Sequence, residues 1–228
     1  MRKYEFTGET KVYEGRTLNR IRRIEDGLIG GWIESEKNLS HEGSCFVYDE
    51  AMVYENARVM DNAEVRGMAR VFGCSCVYGD AKVFEYSTIG GSACVYGKAT
   101  IREYSQVYGN AEIYDEALIC GYAQVYENAK VCGNAEVFQY ASIFGEALIS
   151  DEAKVYGFSN VYNCAQITEE ARVFDFSCIN GAYISGSVEV CGNACIYEDK
   201  YIYGEGELKG VMYSNLTHDK TVMIGTSL

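Results

Sequence analysis

The sequence predicts an all-β protein, a parallel β-helix in which three six-residue units make one coil. From Val47 to Ile179 every sixth residue is Val or Ile, at 23 positions without exception. The residue two positions before each of these is always Ala, Ser or Cys. A third pattern has a period of eighteen: a large apolar residue followed by Ala or Ser stands at Met68, Tyr86, Tyr104, Tyr122, Tyr140, Phe158 and Phe176.

The six-residue period predicts one short strand and one corner per unit. In a strand, residues two apart point to the same side, whereas a helix would spread a six-residue period around its surface. The small and the aliphatic residue of each unit therefore face inward, and residues between them, such as Arg58 and Glu112, face water. Gly, Asn, Asp or Glu follows each strand, and these residues favour turns.

The eighteen-residue period predicts which units lie above one another. If three units complete a coil, the large apolar residues share one corner and repeat about every 4.8 Å, close enough for rings to stack. Opposite charges also fall eighteen residues apart, where neighbouring strands attract weakly. These predicted pairs are Glu64 with Lys82, Glu112 with Lys130, and Glu136 with Lys154.

The chain divides into a cap, the coils and a tail. Residues 1–44 lack the six-residue period and are predicted to form a β-rich N-terminal cap over an otherwise open strand edge. The coils are predicted over residues 45–208, about nine of them. A step of five residues between Ile179 and Ile184 indicates one deleted residue near Gly181. Residues 209–228 are a final strand or a tail.

The repeat resembles the hexapeptide-repeat superfamily, whose members form left-handed parallel β-helices. The left hand is implied by that resemblance and does not follow from the period. Gly30-Gly31-Trp32-Ile33, followed by Asn38-Leu39-Ser40 and Gly43, is similar to the cap of a narrower group of uncharacterised bacterial and prophage β-helix proteins. One branch of that group carries an acyltransferase label. The resemblance implies a phage or prophage origin.

The composition and charge of the chain limit where it can act and what it can bind. No apolar run is long enough to span a bilayer, and the polar start does not resemble a signal peptide, so we expect a cytoplasmic protein, in the host cell if phage-encoded, with no membrane partner. Net charge is −13. Residues 1–30 hold seven Lys/Arg and five Asp/Glu, so the other 198 residues carry −15. Such a body repels nucleic-acid phosphates but permits a basic protein partner or mimicry of DNA.

The ten cysteines are scattered without a CxxC pair, which favours free thiols in a reducing compartment. Cys76 and Cys94 lie eighteen residues apart, a spacing that permits a disulfide without indicating one.

Catalysis is not predicted. The hexapeptide-repeat acyltransferases that the chain resembles use a His as general base and a loop that interrupts the coils. Here the 23 unbroken units leave no room for a loop, and the two histidines, His41 and His218, lie outside the coils. The superfamily's carbonic anhydrases need three His for zinc, so no metal site is expected. We expect no catalytic residue and no cofactor, with an acyltransferase that uses His41 and acetyl-CoA as the alternative.

One outward rank of side chains predicts an interface. The residue after each inward aliphatic on one face is aromatic in most coils, and exposed apolar ranks of this size often mark interfaces. The predicted interface residues are Tyr54, Phe72, Tyr108, Tyr126, Phe144 and Tyr162; Gly90 stands in the same rank between Phe72 and Tyr108. The alternative is that these rings only stack to stabilise the sheet. We therefore expect a non-catalytic scaffold or protein-binding protein, a homo-oligomer, with an acidic DNA mimic or inhibitor of a host defence protein as a further alternative.

Overall fold

The protein is an all-β solenoid of short parallel strands with about ten turns. The computed structural model describes residues 2–197, 200–210, 212–213 and 221–224. Within these residues the 3-10 helix Glu36–Asn38 is the one helical element. The predicted all-β architecture with parallel strands is confirmed. The number of turns exceeds the predicted nine, because Ile29–Ile33 adds a strand before the coils and further strands follow residue 208.

Three longer strands open the chain: β1, Tyr4–Tyr13; β2, Arg16–Arg23; and β3, Ile29–Ile33. The coils consist mostly of two-residue strands: β4 Phe46–Val47, β5 Met52–Val53, β6 Arg58–Val59, β7 Glu64–Val65, β8 Arg70–Val71, β9 Cys76–Val77, β10 Lys82–Val83, β11 Thr88–Ile89, β12 Cys94–Val95, β13 Thr100–Ile101, β14 Gln106–Val107, β15 Glu112–Ile113, β16 Leu118–Ile119, β17 Gln124–Val125, β18 Lys130–Val131, β19 Glu136–Val137, β20 Ser142–Ile143, β21 Leu148–Ile149, β22 Lys154–Val155, β23 Asn160–Tyr162, β24 Gln166–Ile167, β25 Arg172–Val173, β26 Cys178–Asn180, β27 Tyr183–Ile184, β28 Ser187–Cys191 and β29 Cys195–Ile196. The last strands are β30 Tyr201–Lys209, β31 Met212–Tyr213 and β32 Thr221–Ile224.

From β4 to β27, each strand pairs in parallel with the strand three further along the chain. Lys82 of β10, for example, lies beside Thr100 of β13, and Val83 beside Ile101. This pairing produces three series of strands. The first series, which carries the surface discussed below, is β3, β5, β8, β11, β14, β17, β20, β23, β26, β29 and β31. The second begins at β6 and the third at β4, and β30 is long enough to pair with members of both, β27 and β28.

The core consists of the small and aliphatic residues that the six-residue period predicts. All 23 small positions from Cys45 to Ser177, and all 23 aliphatic positions from Val47 to Ile179, are buried. The buried Ser hydroxyls are satisfied locally; Ser87 Oγ, for example, donates to the Phe84 carbonyl at 2.6 Å. The inward register is therefore confirmed.

The corners use backbone conformations with positive φ. Where these positions are not Gly, the described residues are all Asp, Glu, Asn or Gln, with φ between 48° and 63°. At Gly109, φ is +68°, and a Cβ there would lie 2.7 Å from the Glu127 nitrogen of the next coil. Such a corner requires Gly both for its φ and for the close approach of the next coil.

The two ends differ from the regular coils. At the start, β2 pairs antiparallel with β1 and β3, and β3 pairs in parallel with β5. Near the other end the pairing offset falls from eighteen to seventeen residues, because Tyr162 pairs with Asn180 but Gln166 pairs with Tyr183. This change confirms the predicted deletion near Gly181.

Two of the three predicted charge pairs are ion pairs. Lys130 lies 3.2 Å from Glu112 and Lys154 lies 2.9 Å from Glu136. Glu64 is the register neighbour of Lys82, as expected, but its carboxylate pairs with Arg66, two residues further along the chain, at 2.8 Å. Sequence spacing identified the neighbour correctly but could not show this closer competitor.

Candidate functional site

One corner of the solenoid carries an exposed file of large apolar side chains. We call it the corner ladder: Met68, Tyr86, Tyr104, Tyr122, Tyr140, Phe158 and Phe176. Its members are between 46% and 62% exposed, on seven successive coils. From Tyr86 to Phe176 the ring centroids of neighbours lie 4.8 to 5.2 Å apart, with ring planes within 6° of parallel. The predicted stacking of the eighteen-residue repeat is confirmed.

The backbone explains why these side chains project. Each follows a corner residue with positive φ, such as Glu85 before Tyr86 or Gly121 before Tyr122. The ladder backbone is fixed by the next coil, since Tyr104 N–H donates to the Gly121 carbonyl at 2.9 Å. Because the rings stack face to face, the ladder presents ring edges and Tyr hydroxyls to solvent. A base or a sugar, which would stack on an open ring face, therefore has no such face within the run.

The first strand series lies beside the corner ladder and is free of charge over six coils. Its outward strand residues are Thr88, Gln106, Gln124, Ser142, Asn160 and Cys178, and the outward residues two positions later include Tyr108, Tyr126, Phe144 and Tyr162. We call these ten side chains the neutral face; Thr88 among them is only 3% exposed and accepts a hydrogen bond from Arg70 at 3.3 Å, so the accessible part begins at Gln106. Tyr126, Phe144 and Tyr162 are half-buried and stacked at 5.0 and 4.9 Å.

The predicted interface rank belongs partly to the protein's own interior. Tyr54 is only 1% exposed, in a small cluster with Leu18 and Trp32 under the N-terminal strands. Its ring stacks on Phe72 at 5.2 Å and meets Tyr13 edge-on at 5.7 Å. Burial raises the pKa of the Tyr54 hydroxyl above its usual range. Tyr54 is therefore covered by the chain itself, which corrects the prediction that it faces a partner.

At Gly90 the regular stacking of the predicted aromatic rank is interrupted. Phe72 and Tyr108 meet edge-on at 6.3 Å, and a Cβ on Gly90 would lie 2.9 Å from both rings. Both rings thus pack over this glycine. The rank predicted from sequence is half-buried from Phe72 onward, whereas the more exposed file is the corner ladder. Alternation along a strand distinguishes inside from outside, but it does not show that a corner residue projects further than a strand residue.

His41 is held in a form unsuited to general base catalysis. Its Nδ1 accepts the Lys3 backbone N–H at 3.2 Å, and its ring stacks on Tyr4 at 4.3 Å. A neutral ring then carries its proton on Nε2, which is buried without a hydrogen-bond partner among the described residues. Burial lowers the pKa of His41, so the neutral form is favoured. His41 therefore has no free lone pair with which to take a proton. His218 lies outside the described residues.

Most corner carboxylates are used inside the fold. Ten of them accept the backbone N–H of the residue one coil later, at 2.7 to 3.1 Å: Asp49, Glu55, Asp61, Glu85, Glu103, Asp115, Glu127, Asp151, Glu169 and Asp175. Gln139 does the same with its amide oxygen at 2.8 Å. Much of the negative charge thus accompanies a structural hydrogen bond at the corners.

One stretch of a different corner is strongly acidic. Asp151, Glu152, Glu169 and Glu170 line a recess of about 440 Å³ together with Gly186 and Ser187. Asp151 and Glu169 accept backbone N–H groups, and Glu170 accepts the Ser187 hydroxyl at 3.2 Å. The four carboxylates of this recess lie on two successive coils.

The cysteines are free thiols. Cys76 and Cys94 are direct register neighbours, as predicted, but they form no disulfide. Burial raises the pKa of Cys94, which keeps it protonated. In the described part of the chain no three His, Cys, Asp or Glu side chains are arranged to hold a metal ion. No helix among the described residues is long and apolar enough to cross a membrane.

No protein-family model matches the sequence, and no curated protein matches it significantly.

Proposed function

We propose that this chain is a non-catalytic scaffold or protein-binding protein, with the corner ladder and the neutral face as its binding surface. The observation that carries the proposal is the corner ladder, in which seven successive coils each expose about half of a large apolar side chain. Contiguous apolar surface is a liability in a free protein and marks interaction sites. Aromatic side chains also contribute strongly to protein interfaces.

The non-catalytic part of the proposal draws on His41. A general base needs a free lone pair within reach of the acceptor's proton. In His41, Nδ1 is occupied by the Lys3 N–H and Nε2 is buried. These contacts favour a structural role in joining the first strand to the coils over the alternative acyltransferase with acetyl-CoA. No cofactor is part of the proposal.

The binding surface can be tested by affinity capture with two matched double variants. Tyr122→Glu with Tyr140→Glu disrupts the corner ladder, and Tyr96→Glu with Tyr114→Glu disrupts a tyrosine stack of the second series with the same 5.0 Å spacing. Mass spectrometry of proteins bound to each immobilised form should show partners retained by wild type and the control variant but lost from the ladder variant. Equal retention by both variants would contradict the proposed surface.

Catalysis is tested separately. We expect no release of free CoA when the protein is incubated with acetyl-CoA and a panel of hydroxyl and amine acceptors. Turnover that is lost in His41→Ala would establish the acyltransferase alternative instead. Turnover that His41→Ala retains would show a catalytic group elsewhere.

An acidic inhibitor or DNA mimic is the second candidate, favoured by the recess formed by Asp151, Glu152, Glu169 and Glu170. A basic partner bound there should be captured at low salt and released at high salt, because exposed charges are screened. Glu152→Gln with Glu170→Gln should weaken that capture. The ladder variant should leave it unchanged, which separates this candidate from the main proposal.

The resemblance of the repeat to the hexapeptide-repeat superfamily supports four further proposals. These are a left-handed coil, membership of that superfamily, a phage or prophage origin and a cytoplasmic location. The six-residue period with small and aliphatic positions supports the superfamily. An experimental electron-density map would test the hand, and cell fractionation of the expressed protein would test the location.

A further inference from the structure

We infer that the corner ladder and the neutral face are the contact surface between two copies of this chain, each using the same surface. The inference rests on the proposed function and names the partner. It also differs from the interface predicted from sequence, because the exposed apolar residues are those of the corner ladder and Tyr54 is not available.

Charge favours this surface for self-association. The chain has a net charge of −13, so two copies repel each other when their acidic corners meet. From Gln106 to Cys178, on five successive coils, the accessible strand positions of the neutral face carry no charged side chain. Two copies that meet there place uncharged side chains opposite one another and keep the recess around Glu152 and Glu170, which belongs to another corner, out of the contact.

The exposed area is of the right size. An aromatic side chain buries about 150–250 Å² when fully covered, so the six half-exposed rings of the ladder offer about 450–750 Å², and Met68 adds to this. A standard protein interface buries about 800 Å² on each partner. The corner ladder with the neutral face beside it can therefore supply a stable contact, in which the acidic residues of the ladder corner, Glu85, Glu103 and Asp175, already accept a backbone N–H of the next coil.

The repeat spacing favours a second copy over an unrelated partner. The rings of the corner ladder recur at 4.8 to 5.2 Å, set by the spacing of the coils. A second copy presents the same spacing, so each coil can meet a coil along the whole contact. Since ring edges and hydroxyls face outward, the Tyr hydroxyls and the amides of Gln106 and Gln124 can exchange hydrogen bonds across it.

The test is molar mass by light scattering after size exclusion, at several protein concentrations. Wild type should have twice the chain mass of 25.4 kDa. Tyr122→Glu with Tyr140→Glu should have the mass of one chain, and the control Tyr96→Glu with Tyr114→Glu should stay double. Circular dichroism of both variants checks that they are folded.

A milder pair of variants covers the case in which the ladder variant does not fold. Gln124 and Gln166 are both exposed and both start two-residue strands, but only Gln124 lies on the neutral face. Gln124→Glu should raise the dissociation constant of the dimer about tenfold, as one unfavourable charge contact would. Gln166→Glu should change it less than twofold.

Three results would overturn the inference. The first is a wild type that keeps the mass of one chain up to the highest concentration. The second is a dimer that survives both the ladder variant and Gln124→Glu. The third is a dimer that the control variants weaken as much as the ladder variant and Gln124→Glu do. A monomeric wild type that still captures another protein through the corner ladder would refute self-pairing while leaving the proposed binding function in place.

Discussion

Glu127 accepts the backbone N–H of Gly145, one coil further on, through its carboxylate at 2.8 Å. Glu127 has a positive φ of 62°, which turns its side chain along the solenoid axis toward the next coil. The same bond recurs at most acidic corners. Acidic corner residues therefore supply an acceptor for an N–H group that no strand would pair, and the acidity of the chain follows in part from its fold.

Removing this acceptor should destabilise the protein, whereas removing only its charge should not. We expect Glu127→Ala to lower the free energy of unfolding by about 1 kcal/mol, through loss of one hydrogen bond. Glu127→Gln should stay within about 0.5 kcal/mol of wild type. Gln139 already uses its amide oxygen in this way toward Gly157. Urea unfolding of wild type and the two variants measures these differences. Equal stability of Glu127→Ala and Glu127→Gln would contradict the prediction.

Gly109 is constrained by φ and by its neighbour, whereas Gly15 is constrained by φ alone. Gly109 has φ +68° with the Glu127 nitrogen 2.7 Å from an added Cβ, and Gly15 has φ +75° with nothing within 4 Å. Gly15→Ala should cost about 1–2 kcal/mol, the cost of left-handed backbone for an L-residue. Gly109→Ala should cost about 1–3 kcal/mol more through overpacking. Similar melting temperatures for the two variants would show that the coils yield at this corner.

The same substitution should be far more costly at Ala111 than at its neighbour Glu112. Ala111 is fully buried, and Ala111→Leu should cost about 1–3 kcal/mol or more through overpacking of a narrow core. Glu112 points outward and pairs with Lys130 at 3.2 Å, so Glu112→Leu should cost no more than about 1 kcal/mol. For a chain of this size 1 kcal/mol corresponds to about 2–4 °C in melting temperature. The same melting temperature in both would refute the inward register.

The regular part of the fold was predictable because each coil repeats the same physical constraint. Every inward position must fit a narrow core, so Ala111 and its equivalents are restricted to small residues and the period is visible in the sequence. The N-terminal strands follow no period, and their contact with Tyr54 joins residues far apart in the chain. Sequence periodicity carries no signal for such a contact, so the period alone places Tyr54 on the outer surface, whereas the N-terminal strands cover it.

The candidate surface was predicted only in part. The ladder from Tyr86 to Phe176 and its stacking followed from the eighteen-residue spacing. The sequence does not show which of the two aromatic files is more exposed. The exposure of a corner side chain depends on how far it projects, and the backbone of the preceding residue, such as Glu85 with φ 59°, sets that distance. The competition of Arg66 for Glu64 likewise depends on side-chain reach. The hand of the coil remains a prediction.

The different environments of Tyr54 and Tyr126 should be visible in stability. Tyr54 is fully buried under the N-terminal strands, so Tyr54→Ala should cost about 3–5 kcal/mol, as for other large core side chains. Tyr126 is half-buried and stacked on Phe144 at 5.0 Å, and Tyr126→Ala should cost about 1–2 kcal/mol. Denaturant unfolding of both variants provides the comparison. A cost at Tyr54 no greater than that at Tyr126 would mean that the N-terminal strands do not cover it in solution.

The buried, unpaired Nε2 of His41 predicts how this residue titrates. Burial lowers the pKa of His41 in the folded protein, while in the unfolded chain it is near 6.5. The unfolded state therefore binds the proton first as pH falls, so the contribution of His41 to stability is complete above about pH 6.5 and decreases as pH drops toward the folded pKa. Protonation would also cost the bond from the Lys3 N–H to Nδ1. NMR of the His Cε1–H signals measures the folded pKa directly, with His218→Gln used to identify the His41 signal. We expect a His41 midpoint below 6.5. In His41→Gln the loss of melting temperature from pH 7.5 to pH 6 should be smaller than in wild type. A His41 midpoint above 6.5 would indicate an acceptor at Nε2, and with it a ring able to hold a positive charge.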